Sequence, residues 1–336
     1  MRAAVYAGVG RMDLADLAEP ETGDRDVVVE VALCGVCGSD VASFDHGAYI
    51  EPGQIMGHEV CGTVVGLGRA VRGIDVGDQV AVLPMRTCGD CAYCTSGRPH
   101  LCGATAGRSL GYGASGGFAE RVLLHDVRAG VDVIAVPAPV TPEDLVWAEP
   151  VAVAVHAVRL LGAPAHSPVL VTGAGSVGLC ATAVLRAWGV DVVVVEPRAD
   201  RLRAAAELGA ATAPSVREAL GGGHTVTAAL DTSGSAAAIG EAGDACAPGG
   251  TVVLVGLGAS AVPLPGRGIS VRGSFAYTPA DFGTAVALIA SGEVSLGRFV
   301  SHRFPLSQAG AAITASASDP TVVKAVVVPG SREDSP

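Results

Sequence analysis

Aromatic side chains are scarce in this chain: phenylalanine, tryptophan and tyrosine together make up 4% of its 336 residues. Charge is also sparse, at 16%, and it is lopsided, with 22 basic against 33 acidic side chains and a formal net charge of −11. That balance excludes a nucleic-acid backbone as partner, because binding phosphates needs clustered lysine and arginine. No charge run, low-complexity tract or internal repeat appears, and with 49% hydrophobic residues the composition suits a well-buried globular protein rather than a disordered one. The opening stretch "MRAAVYAGVG" lacks the continuous apolar core of a signal peptide. The uncharged run 167–185 is broken by "TGAGSVG", which reads as a turn and not as a membrane span. The expectation is a cytoplasmic protein with no membrane partner. In that compartment nine cysteines read as metal ligands and buried thiols, not disulfides.

The chain is too long for one small core, and its texture changes along its length. Residues 1 to about 150 read as short strands punctuated by glycine and proline, such as "DVVVEVAL", "GTVVGLG" and "DQVAVLP". From Pro168 apolar strands alternate with Ala/Leu-rich helical stretches: "PVLVTGAG", "SVGLCATAVLRAWG", "DVVVVEP", "ADRLRAAAELGA". All-apolar strands in alternation with helices predict a doubly wound parallel sheet. After about Thr278 a helix-like run leads into strand-like segments, "FVSHRFPL" and "KAVVVP", which have no helical partners left and are expected to return to the first lobe. The predicted domains are 1–150, 151–280, and a C-terminal segment 281–336.

"VLVTGAGSVG" places Gly173, Gly175 and Gly178 in a G-x-G-x-x-G between an apolar strand and a helix, with Ser176 and Val177 inside the same loop. The first glycine makes a tight turn, the second admits a pyrophosphate, the third lets helix and strand pack, and the helix N-terminus offers N–H donors. Glu196 ends the next strand about 20 residues on, where a carboxylate accepts from a ribose 2′-hydroxyl. This predicts NAD. Arg198 and Arg201 stand nearby, and an arginine there would suit the 2′-phosphate of NADP, so both cofactors stay open with NAD preferred.

"CGDCAYCTSGRPHLC" supplies Cys88, Cys91, Cys94 and Cys102 in a C-x2-C-x2-C-x7-C spacing. Four thiolates in a glycine- and proline-bearing loop match a closed tetrahedral Zn²⁺ site; an iron–sulfur cluster also takes four cysteines but adds nothing to a chain equipped for hydride chemistry. A closed site has no open coordination position, so this zinc is structural. "GHEVCGTVVGLG" brings His58 and Glu59 between Gly57 and Gly62; adjacent strand residues point opposite ways, so both reach one ion only at a kink, which the glycines allow. Glu149 precedes Pro150 at the junction of the two textures. "VALCGVCGSD" carries Cys34 and Cys37 three apart.

Taken in order, "CGVCGSD", "GHEVCGTV", "GDQV", the four-cysteine loop, "GGFAE", "AEPVAVAVHA" and "GAGSVG" resemble the zinc-containing medium-chain alcohol dehydrogenases, with the sorbitol/polyol and threonine dehydrogenase branch nearest. The resemblance runs over essentially the whole chain. It implies a GroES-like catalytic domain, mainly β, joined to a Rossmann nucleotide-binding domain, with a homodimer or homotetramer as the assembly. It also implies a catalytic zinc held by Cys37, His58 and the carboxylates Glu59 and Glu149, one bound directly and the other through water or by exchange. Cys34 is then a buried neighbour. Ser39 is implied as the acceptor of the substrate hydroxyl proton, passing it to the cofactor ribose and solvent. Many relatives carry a relay histidine where this chain has Ala42, which leaves Asp45 and His46 as the nearest candidates for the outer end.

Bound Zn²⁺ lowers the pKa of water from ~15.7 to ~7, worth about 12 kcal/mol, whereas a positioned base contributes about 3–5 kcal/mol. The expected reaction is therefore metal-dominated oxidation of a secondary alcohol. Low aromatic content and glutamate ligation favour a polar polyol, sugar alcohol or cyclitol as the small-molecule substrate, with L-threonine as the alternative. A zinc-independent enone or quinone reductase would lack the ligand set, and a non-catalytic nucleotide binder would have no need of an open metal site.

Overall fold

Valine-rich runs bounded by glycine set out the strands of this protein, and the way those runs are buried separates its two halves. The computed structural model describes residues 1–137, 140–162, 168–221, 225–256 and 266–331. The chain divides into two units, Met1–Glu149 with Thr278–Pro336, and Pro150–Tyr277.

The first unit begins with an antiparallel ribbon of β1 (Arg2–Gly8) and β2 (Arg11–Asp16). Its main strands follow: β3 (Val27–Gly35), β4 (Glu59–Leu67) and β5 (Gln79–Val82). After these come the two-residue strands β6 (Ser109–Leu110) and β7 (Gly113–Ala114), then β8 (Arg121–Leu124) and β9 (Val133–Ala135). Residues of β3 alternate imperfectly, since only Glu30 is exposed, which is the pattern of a strand covered on both faces.

The second unit is built on β10 (Val169–Thr172), β11 (Val192–Val195), β12 (Ala211–Ala213), β13 (Val226–Asp231), β14 (Cys246–Leu254) and β15 (Ser270–Gly273). The chain then returns to the first unit as β16 (Val300–Pro305) and β17 (Lys324–Val328).

In the first unit seven strands form one sheet in the order β16-β17-β3-β4-β5-β9, with β8 also paired to β3. The antiparallel register sets Gly35 opposite Glu59 on β4 and opposite Val326 on β17. One row across three strands thus fixes where Glu59 and the neighbouring Lys324 meet. Val29, Val64, Met56 and Phe118 lie at the centre of the core, each at most 1% exposed. Complete burial of such a side chain contributes about 1.5–3 kcal/mol.

The second unit holds a six-stranded all-parallel sheet in the order β12-β11-β10-β13-β14-β15. Every residue of β10 is buried. The strand order reverses between β10 and β13, and loops leaving the carboxyl ends of those two strands form the switch point at which open α/β sheets bind ligands. A mainly β unit joined to a doubly wound parallel sheet is the fold class that the sequence predicts.

Candidate metal and nucleotide sites

Cys37, His58 and Glu59 offer one sulfur, one ring nitrogen and one carboxylate oxygen, all within 4.8 Å of one another. Each is placed by a local break in regular structure. Cys37 is the extended N-cap of the helix Gly38–His46. His58 precedes the first residue of β4 and follows Gly57, whose φ of +91° turns the chain, so the pleat does not dictate where the imidazole points. Glu59 opens β4 and is 1% exposed. Glu149, 9% exposed in the first turn of the helix Ala148–Leu161, is not in this group.

One acid, Asp40, and one base, Lys324, stand beside the group. Asp40 accepts from the Cys37 backbone N–H at 2.9 Å, and its other oxygen stands 3.5 Å from His58 Nδ1. That separation suits charge attraction but is long for a hydrogen bond, and His58 Nδ1 is buried without a hydrogen-bond partner among the described residues. Glu59 is paired with the ammonium of Lys324, which also donates to the Val36 carbonyl at 3.2 Å and lies 5.3 Å from the centre of the Trp147 ring. Lys324 and Glu59 are both almost wholly buried, so each needs the other. A side chain at position 35 would overlap the Glu59 carboxylate, which explains a glycine on that strand.

The donor set fits a zinc ion. Ligands at about 2.0–2.3 Å from a tetrahedral centre lie about 3.3–3.8 Å apart, a spacing that small side-chain movements reach from here. Ser39, two residues past Cys37 and half-buried, accepts a hydrogen bond from the phenol of Tyr112 at 2.5 Å. The Tyr112 ring lies 5.3 Å from the His58 ring at 45°. Burial pushes the Tyr112 phenol well above its ordinary value, so it stays a neutral donor. Asp45 and His46 are exposed at the end of their helix. Cys34 stays outside the group; burial pushes its thiol well above the ordinary value and leaves it inert.

The four thiols of the loop sit together as well: Cys88 to Cys102 at 3.5 Å, Cys91 to Cys94 at 3.6 Å and Cys88 to Cys94 at 3.9 Å. A tetrahedral ZnS₄ centre with bonds of about 2.3 Å has sulfur–sulfur edges of about 3.8 Å, so the loop is already shaped for the ion. The Cys88 backbone N–H donates to Cys102 and lowers that thiol to about 6. A hydrogen bond with Asp90 holds Cys88 up at about 12.

In the second unit Gly173 follows β10 with φ +94°, and a Cβ on Gly178 would overlap the Gly173 carbonyl oxygen. Only glycines let the loop and the helix Ser176–Ala187 approach this closely. Gly175 is the helix N-cap, so Ser176, Val177 and Gly178 form the first turn, whose N–H groups lack intrahelical acceptors. Glu196, 5% exposed, accepts from the Ala174 N–H at 3.0 Å and the Arg198 N–H at 3.2 Å. The Arg198 guanidinium is engaged by Asp200 at 2.8 Å. Arg201 reaches within 3.8 Å of the space a Gly175 side chain would take. The loop, the acid and the open approach at Gly175 fit a dinucleotide.

Three residues with clear places here were not singled out by sequence reasoning: Tyr112, Asp40 and Lys324. Asp40 had a signal, as the third residue of a capping box begun at Cys37. Lys324, the one base in "KAVVVP", was readable only as an oddity, and Tyr112 left no mark at all.

Comparison with known proteins agrees with this geometry. The family profile described as an alcohol dehydrogenase GroES-like domain matches residues 23–137, and that of a zinc-binding dehydrogenase matches residues 176–291. The chain is 30% identical over 303 residues to L-galactonate-5-dehydrogenase of Escherichia coli K12, covering 86% of this chain and 87% of that protein. It is 31% identical over 320 residues to D-xylulose reductase A of Aspergillus oryzae, covering 88% of each. The crystal structure of an alcohol dehydrogenase from Escherichia coli CFT073 complexed with NADH superposes with a TM-score of 0.87 at 25% identity, covering 98% of this chain and 99% of that one. The chain therefore belongs to the zinc-binding, medium-chain alcohol dehydrogenases, in their polyol branch, which use zinc and NAD(P). Among the described residues no helix is long and apolar enough to cross a membrane.

Proposed function

We propose that this enzyme oxidises a polar secondary alcohol of the polyol or sugar-acid type to the ketone, with NAD as the hydride acceptor. The observation that carries the reading is the convergence of Cys37, His58 and Glu59 beside the Ser39 hydroxyl. Relatives named for galactonate and xylulose chemistry support the substrate class.

Cys37 and His58 are the direct ligands of the catalytic zinc, with Glu59 and Glu149 as the carboxylates that ligate it directly, through water or by exchange. When bound, the ion acts as a Lewis acid that lowers the pKa of the substrate hydroxyl, and the nicotinamide takes the hydride. The Asp40 carboxylate, 3.5 Å from His58 Nδ1, supports the basicity of the ring through its charge. Ser39 Oγ accepts the hydroxyl proton and gives up its own on the far side. The substrate loses one hydride and one proton overall. Cys88, Cys91, Cys94 and Cys102 hold a second, structural zinc.

Gly173, Gly175, Ser176, Val177 and Gly178 cradle the pyrophosphate, and Glu196 takes the adenosine ribose. A buried carboxylate there repels a 2′-phosphate, and Arg198 is already engaged with Asp200, so NAD is favoured over NADP. The reading extends to a cytoplasmic homodimer or homotetramer. The edge strand β15, largely exposed, is the surface for pairing.

A panel of polyols, sugar acids and L-threonine assayed with NAD and NADP, beside elemental analysis, tests the reading. The expected result is NAD-dependent oxidation of a polyol or sugar acid by protein carrying two zinc ions, one for each ligand group. Preference for L-threonine would move the enzyme to the amino-alcohol branch, and a strong NADP preference would overturn the role of Glu196.

A further inference from the structure

We propose that Tyr112 is a positioning residue for proton transfer, acting through Ser39; this rests on the reading of Ser39 as the acceptor of the substrate's hydroxyl proton. A serine hydroxyl has one hydrogen and two lone pairs. The Tyr112 O–H, donated at 2.5 Å, occupies one lone pair. What remains is one lone pair to receive a proton and one hydrogen to hand on, so Ser39 keeps a single acceptor site and a single donor site for the transfer. Ala42, one turn further along the same helix, offers no hydrogen-bonding group that could do this instead.

The backbone is shaped to deliver that phenol. Tyr112 sits in the tight turn between β6 and β7, where its N–H bonds the Ser109 carbonyl at 3.0 Å and the Gly111 N–H bonds the Ala114 carbonyl at 2.9 Å. Gly111, at φ +74°, lies so close to Gly57 that an added Cβ would stand 3.0 Å from the Gly57 nitrogen. Gly116 and Gly117 donate to the carbonyls of Ile55 and Gly57. The turn is therefore fastened to the segment that carries His58, and Tyr112 reaches both the His58 ring and the Ser39 hydroxyl from it. During turnover the Tyr112 O–H bond stays intact. Ser39 forms an O–H bond to the incoming proton and breaks the one to the hydrogen it releases.

The test is a cycle of Tyr112→Phe, Ser39→Ala and the double variant, assayed with zinc-loaded enzyme, NAD and the polyol that the substrate panel shows to be oxidised fastest. Tyr112→Phe keeps the ring against His58 and removes only the donor. The expected result is a kcat lower by about 3- to 10-fold, the size of one neutral hydrogen bond, with KM within about twofold and zinc content unchanged. The solvent deuterium isotope effect on kcat should rise, because proton transfer becomes more rate-limiting, and adding Tyr112→Phe to Ser39→Ala should cost nothing more. An unchanged kcat and isotope effect in Tyr112→Phe overturns the proposal. So does loss of zinc, or an equal slowing in both backgrounds. If Ser39→Ala alone turns over normally, the Ser39 reading itself has failed, an outcome separate from failure of Tyr112→Phe in a background where Ser39 matters.

Discussion

The four-thiol loop and the Cys37–His58–Glu59 group both gather metal-ligating side chains and are built in opposite ways. The loop takes its four sulfurs from fifteen consecutive residues, held by local turns, with three of the four only half-buried. The other group draws on a helix cap after β3 and on the start of β4, with Lys324 from β17 and Asp40 alongside. In the loop a bound metal would itself serve as the core, since most of those residues are exposed or half-buried. In the buried group the charge of Glu59 is already compensated by Lys324, so the protein keeps that site shaped whether or not a metal arrives. The difference teaches that a structural ion can be specified by spacing, whereas a reactive one is specified by the surroundings that leave it incompletely satisfied.

That contrast can be broken at several points. The largest effect is expected from His58→Ala or Cys37→Ala: kcat/KM should fall by about 10³-fold or more, the scale of losing several kcal/mol of Lewis-acid assistance, while elemental analysis still finds the loop zinc. Equal loss of both ions would show that the two groups are not independent.

Lys324→Met should come next. It leaves the Glu59 carboxylate buried and uncompensated, a change expected to destabilise the first unit by about 3–5 kcal/mol in chemical unfolding. Glu59→Gln combined with Lys324→Met should recover most of that loss.

The third prediction concerns pH. Zinc must displace protons from Cys88, held at about 12 by Asp90, and from Cys94, raised by burial. Lowering the pH by one unit should weaken zinc binding to the loop by at least about tenfold, and zinc uptake by metal-free protein in weak buffer should acidify the solution. Binding that does not change with pH would mean the thiols enter already ionised. The smallest effect on turnover is expected from Cys102→Ser, which should release the loop zinc and expose residues 88–102 to proteolysis while kcat changes by less than about tenfold.

The parallel sheet was legible because its signal is dense: "VLVT", "VVVV" and "VTAALD" are apolar throughout and helices separate them. The glycine loop and the four-cysteine spacing were legible for a related reason, since every residue that matters lies within one turn or one loop. Pairing Gly35 with Glu59, by contrast, depends on a register across two strands far apart in sequence. His58 and Glu59 escape the pleat's alternation because the strand begins only at Glu59, after the turn at Gly57. Asp45 and His46, the candidates nearest in sequence for the outer end of a proton path, are exposed, and a tyrosine 73 positions from Ser39 holds its hydroxyl instead.

Sequence by itself determined the fold class, the dinucleotide loop and the grouping of the four thiols, because periodicity and short spacing are properties of neighbouring residues. Tertiary structure alone decided that Lys324 pairs with Glu59, that Asp40 faces His58 and that Tyr112 donates to Ser39. Each of these contacts joins side chains from separate segments, and their distances exist only once the register of the first sheet and the seating of the β6–β7 turn on Gly57 are set. A buried charge or hydroxyl must find a partner wherever the fold presents one, and nothing local to its own stretch of chain says which partner that is.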